Sequence, residues 1–153
     1  MATDQHPNPF RGFNFRLEID GFPIAGFSEV SGLTVDRDFT DYREGTDPNH
    51  VRKLAGLTKV TPLVLMRGCI QDATYWEWAD RVARGIDDQR NGSVVLMNEA
   101  HKDVMRWNFR NGRPGKHEGP SLKASDNAVA IERLEIIHEE LTLELEPAPT
   151  AAN

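Results

Sequence analysis

One cysteine, Cys69, stands in 153 residues. A lone thiol closes no internal disulfide, so the fold has to stand on its core, and a reducing compartment is the simplest setting for its folding. A basic surplus is also missing: 18 Lys and Arg against 24 Asp and Glu leave a formal net charge of −6. Gripping nucleic acid by counterion release needs a basic stripe, and this balance argues against it. No window approaches ~20 apolar residues, so neither a membrane span nor a membrane anchor is expected. The polar N-terminus has no apolar segment of the secretory type.

Recognisable chemistry is scarce. His6, His50, His101, His117 and His138 fall at no metal-ligand spacing, and Cys69 has no second cysteine to work with. No Gly-x-Ser-x-Gly elbow surrounds Ser28 or Ser31, whose hydroxyls suit turn geometry. Gly112-Arg113-Pro114-Gly115-Lys116 lacks phosphate-loop spacing and reads as a tight turn. Glu139 and Glu140 are adjacent, so on a strand they face opposite sides and form no carboxylate pair. No catalytic, cofactor-binding or metal-ligating residue is expected, and the chain does not read as an enzyme.

What is present is a set of short strands. The length fits one domain, able to bury about 70% of the surface of its unfolded chain. Residues 1–9, with two prolines, read as a flexible arm, residues 10–145 as the domain, and residues 146–153 as a flexible tail. Phe13, Phe15, Leu17 and Ile19 alternate with polar residues, the pattern of a half-buried strand, and Asp20-Gly21 supplies a turn. The polar face of that strand holds Asn14, Arg16, Glu18 and Asp20. Further strands are expected over residues 24–30 and 34–42. Leu63-Val64-Leu65-Met66 and Val94-Val95-Leu96-Met97 read as strands buried on both faces, the second following a turn at Asn91-Gly92. Residues 104–110 alternate, with Met105, Trp107 and Phe109 on one side and residues 98–103 as the preceding hairpin loop.

One helix is expected, capped by Asp72, carrying an apolar stripe of Tyr75, Trp76, Ala79, Val82 and Ala83, and closed by Gly85. Two tryptophans on so short a helix suggest a plug for one end of a sheet or barrel. The last element is ambiguous. Ile131, Leu134, His138, Leu141 and Leu145 fit a helical stripe, whereas a strand needs a bulge near residues 138–140. The count points to an all-β sandwich or barrel with one helix at its side.

Residues 41–59 are the odd segment. They hold few apolar groups and three glycine or proline breakers, and set Asp41, Glu44 and Asp47 against Arg43, Arg52, Lys53 and Lys59. A structureless stretch of this length inside a compact domain is uncommon and usually functional or disordered. Mixed signs suit contact with another copy of the same surface better than contact with a polyanion. A solvated mobile loop is the alternative. Arg110, Arg113, Lys116 and His117 form a modest basic cluster that could meet Asp36, Asp38 and Asp41 of another subunit.

The run Phe27-Ser28-Glu29-Val30-Ser31-Gly32-Leu33, followed by Tyr42-Arg43-Glu44-Gly45, resembles a signature of the tail-tube protein family of contractile phages and related contractile injection systems. Further matching pieces follow in order: Lys53-Leu54-Ala55-Gly56, Leu65-Met66-Arg67-Gly68, Trp76-Glu77-Trp78, and Ala128-Val129-Ala130-Ile131-Glu132 leading to His138-Glu139. Each piece is short; their order and spacing carry the resemblance.

The resemblance implies strand, not helix, for the last element. It implies a two-sheet sandwich or barrel of the ring-forming tail-tube type, and a structural subunit of an inner tube. Hexameric rings would stack into a conduit for DNA or a protein cargo inside a contractile sheath. Residues 41–60 would reach neighbouring subunits, so Tyr42, Arg43, Glu44, Gly45, Arg52, Lys53, Leu54, Gly56 and Arg113 are the expected interface. Implied partners are further copies of the chain, a sheath protein, baseplate or tube-initiator and cap proteins, and cargo. Assembly would occur in the cytoplasm, within a virion or a released or cell-associated injection particle. A baseplate or tube-initiator paralogue is the nearest alternative, and a monomeric β-sandwich binding module the alternative of a different class.

Overall fold

A computed structural model describes residues 14–20, 27–45, 49–125 and 127–145. The chain runs β1 (Phe15–Ile19), β2 (Phe27–Ser31), β3 (Val35–Tyr42), β4 (Arg52–Val60), β5 (Leu63–Gly68), α1 (Thr74–Ala83), β6 (Arg90–Met97), β7 (Asp103–Glu118), β8 (Ile131–Ile137) and β9 (Glu140–Leu145). All strand pairs are antiparallel. The predicted arm at residues 1–9, the tail at 146–153, and the start of the second predicted strand lie outside the described residues.

The 16-residue β7 organises the fold. Its first half pairs with β6 and β9, which with β1 make one sheet in the order β1-β6-β7-β9. Its second half crosses over to pair with β8, beginning a second sheet β7-β8-β5-β2. The expected tight turn at residues 112–116 is therefore not a turn. Gly112, Pro114 and Gly115 lie where β7 leaves one sheet for the other, with a register shift between Pro114 and His117. The glycines mark a bend in a continuous strand.

The two sheets close on a single core. Leu17 and Ile19 of β1, Val94 of β6 and Phe109 of β7 face Leu63 and Leu65 of β5 and Leu134 and Ile136 of β8. Period-two alternation did this work in β1, β5 and β8. Leu63 and Leu65 are buried while Val64 and Met66 are only half-buried, so β5 alternates and is not doubly buried as its apolar run suggested. Asn91-Gly92 also makes no turn: both lie within β6, where Gly92 pairs with Ile19 and Phe109. A Cβ at Gly92 would sit 2.5 Å from both the Glu18 carbonyl oxygen and the Phe109 ring, so glycine serves close packing there.

The helix turns Tyr75 and Trp78 inward, with Val82 half-buried behind them. Trp78 is fully enclosed and its indole N–H donates to the Asp88 carbonyl at 2.9 Å. Trp76, expected in the same stripe, is 61% exposed and stands edge-on to His117. A ten-residue helix can bury only one stripe, and the two tryptophans, two positions apart, point to different sides. Asp72 acts one position further out than expected. Ala73 occupies the cap, and the Asp72 carboxylate accepts from the Thr74 amide and hydroxyl, which holds its carboxyl below the usual range. Gly85 closes the helix at φ +86°.

The ambiguous last segment is strand. It breaks at His138 and Glu139, so β8 belongs to one sheet and β9 to the other. His138 is buried at the break, with one ring nitrogen 2.9 Å from the Thr61 carbonyl and the other 3.2 Å from the Glu140 carbonyl.

Candidate assembly surface

β3 and β4 form a separate two-stranded sheet, joined to no other described strand. Every residue of β3 is exposed, and in β4 all but Val60 are. Residues 52–60, expected as part of a structureless insertion, are thus the second strand of a projecting hairpin. The sequence hid this because both faces are polar or mixed, so no period-two signal marks it.

The register defines two faces. Val35 with Val60, Arg37 with Thr58, Phe39 with Ala55 and Asp41 with Lys53 lie on one; Asp36 with Lys59, Thr40 with Leu54 and Tyr42 with Arg52 lie on the other. One extra residue enters β4 opposite Asp38, where the register shifts between Arg37 and Phe39, and Gly56 sits in that bulge. Asp41 pairs with Lys53, and Asp38 with Lys59 at 2.9 Å, raising the Lys59 amine pKa above its usual value. These pairs are exposed and screened by solvent, so they hold the hairpin only weakly. An isolated two-stranded hairpin is marginal in water. Yet this one also exposes Phe39 at 58%, Leu54 at 51% and Leu57 at 75%.

Eight of the expected interface residues lie on this hairpin. Tyr42 ends β3 and donates its hydroxyl to Glu44 at 3.1 Å; Arg43, Glu44 and Gly45 begin the exposed connection; Arg52, Lys53, Leu54 and Gly56 are in β4. Arg113 is elsewhere, in β7, 3.4 Å from Asp87. The basic cluster around it does not form one free patch. His117 contacts Glu132, Arg110 stands in register with Glu140, and two of the three hairpin acids already hold local lysines.

A second surface was half legible. The polar side of the first sheet carries a ring of alternating charges. Arg16 donates to Asp103 at 2.5 and 2.7 Å and to Glu18 at 2.8 Å; Arg106 donates to Glu18 at 2.8 Å and lies 3.6 Å from Asp103. The Arg106 hydrogen bond chiefly holds the Glu18 carboxyl below its usual range, and the Arg16 hydrogen bond does so for Asp103. Alternation in β1 pointed to Arg16 and Glu18; Asp103 and Arg106 come from a distant hairpin and had no local signal. Beside the ring, Asn108 accepts from Ser93 and donates to Glu144.

The edges of the first sheet complete the picture. Across it run rows of core-side residues: Leu17, Val94, Trp107 and Leu143, and beside them Phe15, Leu96, Met105 and Leu145. Their outer members on β9, Leu143 and Leu145, are 54% and 64% exposed. No described cluster of three or more His, Cys, Asp or Glu could hold a metal ion, and no described helix is long and apolar enough to cross a membrane.

The model of the T4-like virus tail tube protein gp19 family matches residues 11–142. No curated protein matches the chain. Among solved structures, a chain of the anti-feeding prophage baseplate is similar at 24% identity and a TM-score of 0.79, over 91% of this chain and 97% of that one. A chain of the extended sheath–tube complex of the PVC extracellular contractile injection system gives 22% and 0.80, over 90% and 93%. A chain of the anti-feeding prophage tube-terminating cap gives 21% and 0.78, over 95% and 97%. At these identities the structures establish the fold. The family match spans most of the chain: it belongs to the T4-like virus tail tube protein gp19 family, whose members are structural proteins and not enzymes.

Proposed function

We propose that the chain is the inner-tube subunit of a contractile phage tail or phage-tail-like injection system, closing into hexameric rings that stack into a conduit. The observation that carries this reading is the β3–β4 hairpin. A pair of strands exposed on both faces, with large apolar side chains and neither edge paired to another described strand, gains stability against another chain. Tyr42, Arg43, Glu44, Gly45, Arg52, Lys53, Leu54 and Gly56 are the contacts it offers, and Arg113 is a further one outside the hairpin.

Strand direction supports ring closure. The first sheet has β1 and β9 at its borders, and with all pairs antiparallel these two run in opposite directions. Rotating copies about an axis sets β1 of one beside β9 of the next in antiparallel order, so the sheet continues around the ring without a mismatched seam. Leu143 and Leu145 then gain cover at the seam. The charge ring of Arg16, Glu18, Asp103 and Arg106 would line the lumen, its cations already neutralised, so DNA or a protein cargo would find little to adhere to.

Sheath, baseplate or initiator, and cap proteins are the partners of such a tube, assembled in the cytoplasm and carried in a virion or an injection particle. The test is electron microscopy of the purified chain at high concentration, with and without an initiator. Rings or tubes are expected; a monomer under both conditions overturns the reading.

A further inference from the structure

The sandwich is left open at one mouth. Between β1, β6 and β7 on one side and β2 on the other lies a groove of about 260 Å³, walled by Phe15, Val30, Leu33, Val94, Leu96 and Trp107, with Glu29 at its rim. Small-molecule sites run to ~300–1,000 Å³ with convergent polar groups. This groove is below that range, mostly apolar, and rimmed by one carboxylate that has no ion-pair partner among the described residues. It fits one or two apolar side chains accompanied by a cation.

The hairpin presents that combination. Phe39 and Arg37 share a face two positions apart, and Phe39 is 58% exposed. Lys53 and Lys59 are held by Asp41 and Asp38, whereas Arg37 has no ion-pair partner among the described residues. The chain's own Phe39 does not reach its own groove. Leu33 is a groove wall, Phe39 is not, and β3 carries Phe39 four strand positions beyond Val35, ~13 Å further on.

We propose that the groove receives Phe39 of a second copy, with Arg37 of that copy against Glu29. The inference rests on the tube reading and deepens it by assigning the hairpin its receptor. Knob and socket lie on different surfaces of one subunit, so the contact is head-to-tail and propagates from copy to copy. Burying an aromatic side chain removes ~150–250 Å² from water, and the ion pair at the rim fixes register.

The test has two arms, both read on assembled particles by sedimentation and electron microscopy. Phe39→Ser lowers the assembled fraction at fixed concentration by about tenfold or more, as loss of a central aromatic anchor does. Arg37→Glu and Glu29→Arg each lower it, and the double exchange restores it to within about threefold of the unaltered protein. For occupancy, Leu33→Cys and Phe39→Cys in a Cys69→Ser background are oxidised after assembly. A ladder of chains linked copy to copy is expected; disulfides confined within single chains, or none, overturn the proposal. Assembly unchanged by Phe39→Ser overturns this inference alone. Failure of the unaltered chain to assemble overturns the tube reading and this contact with it.

Discussion

The Arg67 guanidinium donates to the Glu132 carboxylate inside the fold, with both side chains almost wholly buried. Asp72 lies 3.4 Å from the same guanidinium, Phe27 stacks against it with its ring centroid 5.4 Å away, and His117 contacts the far carboxylate oxygen at 3.2 Å. The cluster joins β2, β5, β7, β8 and the entry to α1.

Removing one member strands the other in a dry site. Arg67→Met is expected to cost about 3–5 kcal/mol, seen as a fall in Tm on the order of 10 °C. Arg67→Met with Glu132→Leu recovers more than half of that, because no buried charge is left unpaired; Asp72 is partly exposed and keeps its hydrogen bonds from Thr74. Thermal melts followed by circular dichroism measure both.

Acid exposes the next dependence. Glu18, Asp72, Asp88 and Asp103 all titrate below their usual values, each chiefly through a donated hydrogen bond. Groups depressed in the folded state add stability that is complete above their unfolded values, 4.5 for Glu18 and 3.8 for the aspartates, and is lost as pH falls through the folded values. Tm should be flat with respect to these groups from about pH 7 to 5 and drop below about pH 4. Glu18→Gln with Asp103→Asn should flatten part of that drop.

Two left-handed glycines differ in their surroundings. Gly32 has φ +88° and a Cβ there would lie 2.1 Å from the Pro62 carbonyl oxygen; Gly85 has φ +86° with open space around it. Gly85→Ala is expected to cost ~1–2 kcal/mol, the backbone strain alone. Gly32→Ala adds a backbone collision and is expected to cost ~2–5 kcal/mol. Urea titrations give the two values side by side.

The proposed role of the hairpin predicts that folding and assembly can be separated. Leu57 is 75% exposed and is not part of the core cluster. Leu57→Ser should leave the Tm of dilute protein within about 2 °C. The same variant should reduce the fraction sedimenting as particles at high concentration. A large loss of Tm would show that the hairpin supports the monomer.

Where one side of a strand faced the core, the sequence declared it. Phe15, Leu17 and Ile19 alternated, Met105, Trp107 and Phe109 alternated, and both sets became the inner face of the first sheet. Glycines misled, because Gly92, Gly112 and Gly115 look alike in a sequence whether the chain turns or merely packs tightly. Arg67 was invisible as a core residue, since its burial depends on Glu132, 65 positions away. Of the hairpin, β3 matches the strand expected over residues 34–42, whereas β4 was seen only as part of an odd segment, because a strand exposed on both faces carries no internal pattern of burial. Its proposed role came from the ordered short motifs, and its shape from the structure.

Under the proposed contact, a subunit whose arm projects on one side and whose open mouth lies on another would build a column with unlike tips. At one tip every mouth would be empty; at the other every arm would be bare. Each tip would then call for its own finishing chain, one supplying arms and one supplying mouths, and the column would have a built-in direction.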